Sequence, residues 1–395
     1  MTNSVRERLM PASVGPPVRA TSLELFFDLV FVFAFTQVTG LMTADPTWAG
    51  IGSAVLVLAV LWWTWAGYAR LTNHVDPEAG VVRILMLAAM GSLVVMTLAL
   101  PQVFGSSAMV FAVAYLVVRA LHVVLLGLAA NVDDSWRRST RTAVPNVLLT
   151  SGLLLVAAFV DGQAQITCWA LAVVVMSLWP LFGRARGWDV APTHFVERFG
   201  LVILIALGES VVALGAGTST HELDAPLIAV GLLGFIVVAS LWWAYFDWVT
   251  IVAEHRLEES AGTERALLAR DVYAYLHGLM VVGIVLYALG IEVAVHDPTR
   301  HLELPIATAF SGGIALYLLA HVGLRLRIGG GLGRGRPVAA ALAVAIIPMA
   351  TNLSALVTTT ALAALSCALI AYEVLRHRDT RAEIRAHRTG DTKPT

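Results

Sequence analysis

The sequence predicts an all-α polytopic membrane protein with about twelve transmembrane helices. Hydrophobic residues make up 58% of the 395 residues and charged residues only 13%, whereas soluble domains average about 25% charged residues. The apolar residues gather in runs of about 20, the length that crosses the hydrocarbon of a bilayer. Because backbone polar groups need internal partners in lipid, each run is predicted to be a helix.

Twelve apolar segments reach this length. In chain order they are 22–42, 48–69, 82–100, 107–129, 142–160, 164–183, 195–216, 226–249, 270–292, 304–325, 337–354 and 356–376. The last two are separated only near Asn352, so their boundary is the weakest one. If the N-terminus is cytoplasmic, every Lys and Arg except Arg119 and Arg300 falls in the terminal segments or in alternate loops. The positive-inside rule therefore predicts that both termini are cytoplasmic.

The two halves of the chain resemble each other, which predicts an internal repeat. LWWTWAGY from Leu61 matches LWWAYFDW from Leu241, and FDLVFVFAFTQ from Phe27 aligns with FGLVILIALGE from Phe199. Because six spans is an even number, the halves share one orientation and are predicted to form two parallel six-helix repeats.

Four regions follow from this division of the chain. They are a cytoplasmic N-terminal arm, a first six-helix repeat, a second six-helix repeat and a basic cytoplasmic tail, over 1–21, 22–183, 184–376 and 377–395. The basic tail is expected to bind the anionic lipids of the inner leaflet.

Ionisable side chains inside spans cost about 2.5–3.5 kcal/mol each at a helix centre, so they tend to pair with one another or to line a pathway. Glu24 and Asp28 are spaced i and i+4 and share one helix face. We expect Glu24 at the membrane interface, where a carboxylate meets the positive end of the helix, and Asp28 deeper in the membrane. Arg119, the only Arg inside a predicted span and away from its ends, is the predicted partner of Asp28, with His122 and Tyr115 bonded into the pair. Whether this pair clamps helices or serves a pathway stays open.

A second set of polar residues lies in other spans. Glu209 in LGESVVALG matches Gln37 in the repeat. Glu209 lies in the outer half of its helix and is predicted to be a carboxylate that either makes hydrogen bonds or takes part in ion handling. His277 and His321 are also internal, although a lone His in a helix is more often a packing residue than a ligand. The candidates for a substrate or ion pathway are Asp28, Arg119, His122, Gln37, Glu209, His277 and His321. The predicted interface or structural residues are Glu24, Tyr115, Glu197 and Arg198.

The sequence carries none of the motifs that usually hold a cofactor. There is no HExxH, no cysteine cluster, no P-loop and no dinucleotide motif, so we predict no metal site, no cofactor, no catalytic residue and no nucleic-acid partner. GGGLGRGRP from Gly329 is glycine-rich, and between two membrane helices it is interpreted as a flexible connection.

Several segments, taken in order, resemble the bacterial low temperature requirement protein A family. They are LELFFDLVFVFAFTQ from Leu23, LWWTWAGYARLTNHVD from Leu61, and HFVERFGLVILIALGESVV from His194 followed by LWWAYFDW. The resemblance covers about Thr21 to Leu375 and implies a multi-spanning protein of the bacterial inner membrane. The family name reports a cold-growth phenotype, so no catalytic role comes with its hallmark positions, which fall here on Glu24, Phe27, Asp28, Gln37, Glu197, Arg198, Gly208 and Glu209.

The repeat and the buried charges favour a transporter or channel for an unidentified small solute or ion, with its pathway between the halves. One alternative is a membrane protein with a structural or stress-adaptation role, in which the buried charges only fix the packing. Another is a membrane-embedded lipid-modifying enzyme that uses Glu209 and the histidines. The sequence leaves a homo-oligomer open in each case.

Overall fold

The computed structural model describes residues 19–130, 134–182, 190–216, 223–247 and 249–376, and within these ranges the protein is all-helical. The described α-helices are, in chain order, α1 Ser22–Ala44, α2 Trp48–Thr72, α3 Gly80–Leu98, α4 Ala108–Ala130, α5 Asp134–Ala157, α6 Gly162–Phe182, α7 Pro192–Ala216, α8 Ala225–Phe246, α9 Val249–Glu259, α10 Gly262–Leu268, α11 His277–His296, α12 Leu304–Arg327, α13 Gly335–Ala350 and α14 Ala355–Arg376. A short 3₁₀ turn, Leu100–Gln102, precedes α4, and a π-helix, Ala269–Leu276, joins α10 to α11.

In the described chain, 11 helical segments are long and apolar enough to cross a membrane. The α8–α9 stretch counts as one of them, and so does the continuous helix Gly262–His296. The predicted span over 337–354 is the exception, because α13 has only 16 residues and is about 24 Å long. Pro348 lies within its last turn, and the chain leaves the helix at Thr351. The all-helical architecture and 11 spans are therefore confirmed, whereas α13, at the place of the remaining predicted span, is shorter than a typical span.

Side-chain caps set where several helices begin. At the start of α1, the Glu24 backbone N–H donates to Thr21 Oγ1 at 3.3 Å, and the Thr21 backbone N–H donates to Glu24 Oε2 at 2.9 Å. This reciprocal pair is a capping box. Thr47 caps α2 and Asp224 caps α8 through their side-chain oxygens. These caps satisfy N–H groups that a helix leaves without internal partners.

Hydrogen bonds between helix ends show which ends lie on the same side of the molecule. Asn73 at the end of α2 bonds His194 at the start of α7, and Arg336 at the start of α13 bonds the Ala244 carbonyl at the end of α8. We call the side on which α1 begins and α14 ends the termini side, and the opposite side the far side.

The far side contains the loop between α11 and α12. Asp297 ends α11 and accepts hydrogen bonds from the backbone N–H and the hydroxyl of Thr299. The bond from the Thr299 hydroxyl lowers the pKa of the Asp297 carboxyl. The same loop reaches α14 through an isolated bridge between His301 and Ser354, and Leu302 donates its backbone N–H to Ala350.

Helix α11 lies at the centre of the packing, in contact with α1, α2, α7, α8 and α12. It crosses α12 at two glycines that face each other. A Cβ atom added at Gly283 would lie 2.6 Å from the Gly313 carbonyl oxygen, and one added at Gly313 would lie 2.5 Å from the Gly283 carbonyl oxygen. Small residues at such crossings let two helix backbones approach closely, as is common between membrane helices.

The π-helix makes a contact between the two halves of the chain. Its Ala274 carbonyl accepts a hydrogen bond of 2.7 Å from Trp62 Nε1 on α2. The indole also packs over Gly278, where an added Cβ would lie 2.6 Å from Trp62 Nε1. A π-turn widens a helix locally, and here the widened segment meets a side chain of the first half.

The outer surface is apolar, as a membrane environment requires. Ile84 of α3, Leu148 of α5 and Leu232 of α8 are 66%, 65% and 61% exposed. Soluble monomers rarely expose large continuous apolar surfaces, whereas lipid chains cover them without cost. The exposed apolar side chains and the helix lengths together identify a polytopic membrane protein.

Candidate functional site

Four charged or titratable side chains meet between α1 and α7 near the termini side, and we call them the ionic cluster: Glu24, Asp28, His194 and Arg198. Arg198 Nη1 donates to Glu24 Oε1 at 2.6 Å, and Arg198 Nη2 donates to Asp28 Oδ1 at 2.7 Å. His194 Nε2 lies 3.1 Å from Glu24 Oε2. All four residues are buried. The i, i+4 spacing on both helices stacks each pair on one face, so the two faces match.

Helix α2 completes the ionic cluster with neutral partners. Trp65 Nε1 donates to Asp28 Oδ1 at 2.9 Å, and Thr72 Oγ1 lies 3.3 Å from Arg198 Nη1. The Asn73 side-chain nitrogen lies 3.0 Å from His194 Nδ1. A buried ion pair is stable only when such additional bonds offset the loss of hydration. The arrangement therefore joins α1, α2 and α7 at their termini-side ends.

The predicted pairing of Asp28 with Arg119 is wrong, because Arg198 occupies that position. Helix α7 begins at Pro192, three residues before the predicted span at 195, and its first two turns pack against α1, which buries Arg198 beside Asp28. Arg119 instead donates from Nη2 to Asn146 Oδ1 at 2.8 Å. The matching i, i+4 spacing of His194 and Arg198 in HFVERFG was the sequence signal for the correct pair.

The residues expected around that pair also have other partners. The Tyr115 hydroxyl lies 3.1 Å from Thr150 Oγ1 on α5. The His122 ring packs on Tyr68, with ring centroids 5.1 Å apart. Glu24 lies in the first turn of α1, and His194 and Arg198 cover it, so that its exposed fraction is 0%.

A second group of polar side chains lies between α1, α7 and α11 in the far-side half, and we call it the far-side seam: Thr36, Thr39, Thr43, Glu209 and Glu292. The Thr36 hydroxyl donates to Glu209 Oε2 at 2.5 Å. The Thr39 and Thr43 hydroxyls donate to the Phe35 and Thr39 carbonyls, and they lie near Glu209 and Glu292, respectively. Within the described chain, neither carboxylate forms an ion pair with a basic residue. The seam is therefore rich in oxygen ligands and holds two carboxyl groups without a basic partner.

Gln37 and Glu197 lie beside these two groups. Gln37 is half-buried, and its neighbour Thr36 is the residue that reaches Glu209. Glu197 accepts a hydrogen bond of 2.9 Å from the Ala20 backbone N–H, which fixes the segment before α1 against α7.

The two predicted histidines of the second half lie close together in a buried aromatic group. His277 Nε2 bonds the Tyr245 hydroxyl at 2.8 Å, and its Nδ1 faces the Val272 carbonyl at 2.9 Å. His321 Nδ1 faces the Tyr317 carbonyl at 2.9 Å. Both nitrogens of His277 have partners, so it acts as a bonded packing residue. Across the described residues, no three His, Cys, Asp or Glu side chains are grouped so that they could hold a metal ion.

Comparison with known proteins decides the family. The family model described as bacterial low temperature requirement A protein (LtrA) matches residues 19–371. The chain belongs to this family. It is also 28% identical over 315 residues to an uncharacterized protein of Rhizobium meliloti (strain 1021), an alignment that covers 76% of this chain and 75% of the relative. No solved structure matches the chain significantly.

Four of the eight hallmark positions of the LtrA resemblance belong to the two groups described above. Glu24, Asp28 and Arg198 form most of the ionic cluster, and Glu209 is the central carboxylate of the far-side seam. Both groups lie on one interface, α1 against α7, which brings the first helix of each half together. This interface is the candidate functional site of the LtrA chain.

Proposed function

We propose that this LtrA family member is a transporter or channel for a small cation, with its pathway along the α1–α7 interface. The observation that carries the proposal is the distribution of polar groups on that interface. The ionic cluster lies at the termini-side end, and the far-side seam lies in the opposite half. Intramembrane ionisable residues mark ion or substrate pathways when they are not needed to pair with one another.

An apolar stretch separates the two polar groups. Phe31 and Phe35 of α1 and Val202, Ile203 and Ala206 of α7 are all buried between them. Asp28 and Thr36 are about 12 Å apart along α1, from a rise of about 1.5 Å per residue. Apolar constrictions act as gates in channels, so this arrangement supports a closed conformation of a pathway.

The two polar groups support different roles. In the ionic cluster every charged residue is bonded to an oppositely charged neighbour, which suits a latch between helices. In the far-side seam Glu209 and Glu292 face hydroxyl groups, which suits the coordination of a cation by oxygen ligands. We therefore assign ion handling to Glu209 and a holding role to the ionic cluster.

We also propose that the halves are parallel repeats, related by an axis along the membrane normal. Equivalent helices have equivalent neighbours, which supports the proposal. In the first half α1 packs on α2 and α3, and α2 packs on α6. In the second half α7 packs on α8 and α11, and α8 packs on α14. With the distribution of Lys and Arg, this arrangement supports an inner-membrane protein with both termini in the cytoplasm.

A structural role is the second candidate, and the ionic cluster is the observation that favours it. Its bonds join three helices at one end of the bundle, as a clamp would. A protein whose buried charges only fix packing would need no exchangeable ion at Glu209. The two functions can therefore be separated by an experiment on the far-side seam.

Replacing Glu209 with glutamine is expected to abolish most of the transport without unfolding the protein. Glutamine keeps the size and a carbonyl that can accept from Thr36, but it removes the charge. We expect the flux of H⁺, Na⁺ or K⁺ into proteoliposomes to fall by about tenfold or more, because a bond to a charged group is worth about 1.5–3 kcal/mol. The thermal unfolding midpoint should stay close to that of the wild type.

Glu303→Gln is the matched control, since Glu303 is an exposed far-side carboxylate that pairs only with Arg300 in the described chain. Its flux should equal that of the wild type. If the wild-type protein carries none of the three cations above the level of empty liposomes, the transport proposal fails and the structural role remains.

A further inference from the structure

A cavity opens on the termini side of the second half, well away from the α1–α7 interface, and we call it the arginine cavity. It has a volume of about 720 Å³. The end of α12, the glycine-rich connection to α13, the start of α13, the end of α14 and the start of α9, at Val249 and Val252, form its walls. Small-molecule sites commonly have volumes of about 300–1,000 Å³, so the cavity is large enough for a ligand.

The charges that line the cavity are mostly positive. Its walls include Arg325, Arg334, Arg336 and Arg376, and Glu373 is the one carboxylate among the described lining residues. Arg336 already holds Glu373 through two bonds of 2.7 and 3.1 Å. The other three arginines form no ion pair within the described chain. Several arginines without anionic partners around one cavity favour an anionic ligand, because like charges repel each other unless an anion offsets them.

The glycine-rich connection places one of these arginines in a narrow position. Gly329 and Gly333 have φ angles of +89° and +68°, a backbone conformation that favours glycine. A Cβ atom added at Gly330 or Gly333 would lie 2.7 Å or 2.8 Å from the Arg325 side chain. The glycines therefore let the chain fold closely around the Arg325 side chain. This close contact explains the glycines of GGGLGRGRP better than a need for flexibility does.

Two further polar groups are present at the cavity. Helix α13 begins at Gly335, and no side chain caps its first N–H groups. Helix N-termini bind phosphate and other anions through these groups and through the helix dipole. His321 also lines the cavity, is 1% exposed, and has no hydrogen-bond partner for Nε2 among the described residues. Because Nδ1 donates to the Tyr317 carbonyl, Nε2 is the acceptor nitrogen of a neutral imidazole. A buried polar atom without a partner is costly, and the P–OH group of a singly protonated phosphate would supply the missing donor.

We propose that the arginine cavity is a binding site for a phosphate group, held by Arg325 and Arg334 with the start of α13. Guanidinium groups match the geometry of phosphate oxygens with paired hydrogen bonds. The phosphate belongs either to a soluble phosphate or phosphate monoester, or to the headgroup of an anionic lipid that enters from the membrane. The site is separate from Glu209, so this proposal does not rest on the transport function.

The test uses the full-length protein purified in detergent, titrated with inorganic phosphate at constant ionic strength set by chloride. A ligand that binds the folded state raises the unfolding midpoint as its concentration increases. We expect phosphate to stabilise the wild type and to bind about tenfold more weakly to Arg325→Gln and Arg334→Gln, since each loses a charge-assisted bond. Arg334 is exposed, so its replacement leaves the fold intact.

Arg256→Gln is the matched control, because Arg256 lies in the second half outside the cavity, is 45% exposed and pairs with Glu259. It should bind phosphate like the wild type. A second arm compares nanodiscs of phosphatidylglycerol with nanodiscs of phosphatidylcholine for the same variants. A response to phosphate in detergent identifies a soluble anion, and a response only to phosphatidylglycerol identifies a lipid headgroup. The proposal is overturned if neither stabilises the wild type, or if Arg256→Gln weakens the response as much as Arg334→Gln.

Discussion

Replacing Arg198 with glutamine is expected to destabilise the protein by about 3–5 kcal/mol, the cost of removing one partner from a buried ion pair. Glu24 and Asp28 would then lose their shared cation while remaining buried between α1 and α7. Chemical or thermal unfolding in detergent measures the loss, and the yield of monodisperse protein reports it during expression.

Arg198→Lys separates charge from geometry in the same cluster. A lysine ammonium keeps the charge, but it lacks the planar fork with which Arg198 reaches two carboxylates at once. We expect a loss of stability between those of the wild type and Arg198→Gln. Arg256→Gln, which removes an exposed arginine, should change stability by less than about 0.5 kcal/mol. If Arg198→Gln unfolds at the wild-type midpoint, the ionic cluster is not the clamp that its bonds suggest.

The second large effect is expected at the crossing of α11 and α12, where Gly313→Ala should lower stability by about 1–3 kcal/mol, the usual cost of overpacking. The new methyl group would lie 2.5 Å from the Gly283 carbonyl oxygen and 2.9 Å from the Tyr287 backbone nitrogen. Both neighbours are backbone atoms, so the helices must separate to make room. The unfolding midpoint in detergent measures this effect.

Gly312→Ala is a matched control on the adjacent residue of the same helix. Its added methyl group would come no closer than 3.7 Å to Thr308 Cγ2, which is ordinary van der Waals contact. Because alanine favours helix over glycine by up to about 1 kcal/mol, this variant should be as stable as the wild type or more stable. Equal losses from both variants would mean that the close crossing does not limit the packing.

The helices themselves were predictable because a bilayer imposes a simple rule. A run of about 20 apolar residues must form a helix in lipid, and the runs in this sequence are separated by polar loops. The exception, α13, is apolar along its predicted length but ends at Ala350, after Pro348. The π-helix Ala269–Leu276 was not predictable, because the spacing of apolar residues does not distinguish π-turns from α-turns.

The candidate site was predictable in its residues but not in its pairing. The cost of burying charge pointed to Asp28 and Glu209, and both are buried in the structure. The partner of Asp28 was missed because Arg198 lies near the start of α7 and was counted with the cytoplasmic arginines, whereas the structure buries it against α1. The arginine cavity could not be predicted either, since its walls come from the ends of four helices and one connection.

The ionic cluster also constrains how the protein is made. Its bonds join residues 174 and 170 positions apart, Glu24 to Arg198 and Asp28 to Arg198. At a synthesis rate of about 5–20 residues per second, Glu24 and Asp28 are synthesised roughly 9–35 s before Arg198. During that interval two carboxylates must stay hydrated or protonated at the edge of the membrane. The first half therefore cannot complete its packing alone. We expect α1 to take its final position in the bilayer only after α7 is inserted and Arg198 pairs with Glu24 and Asp28.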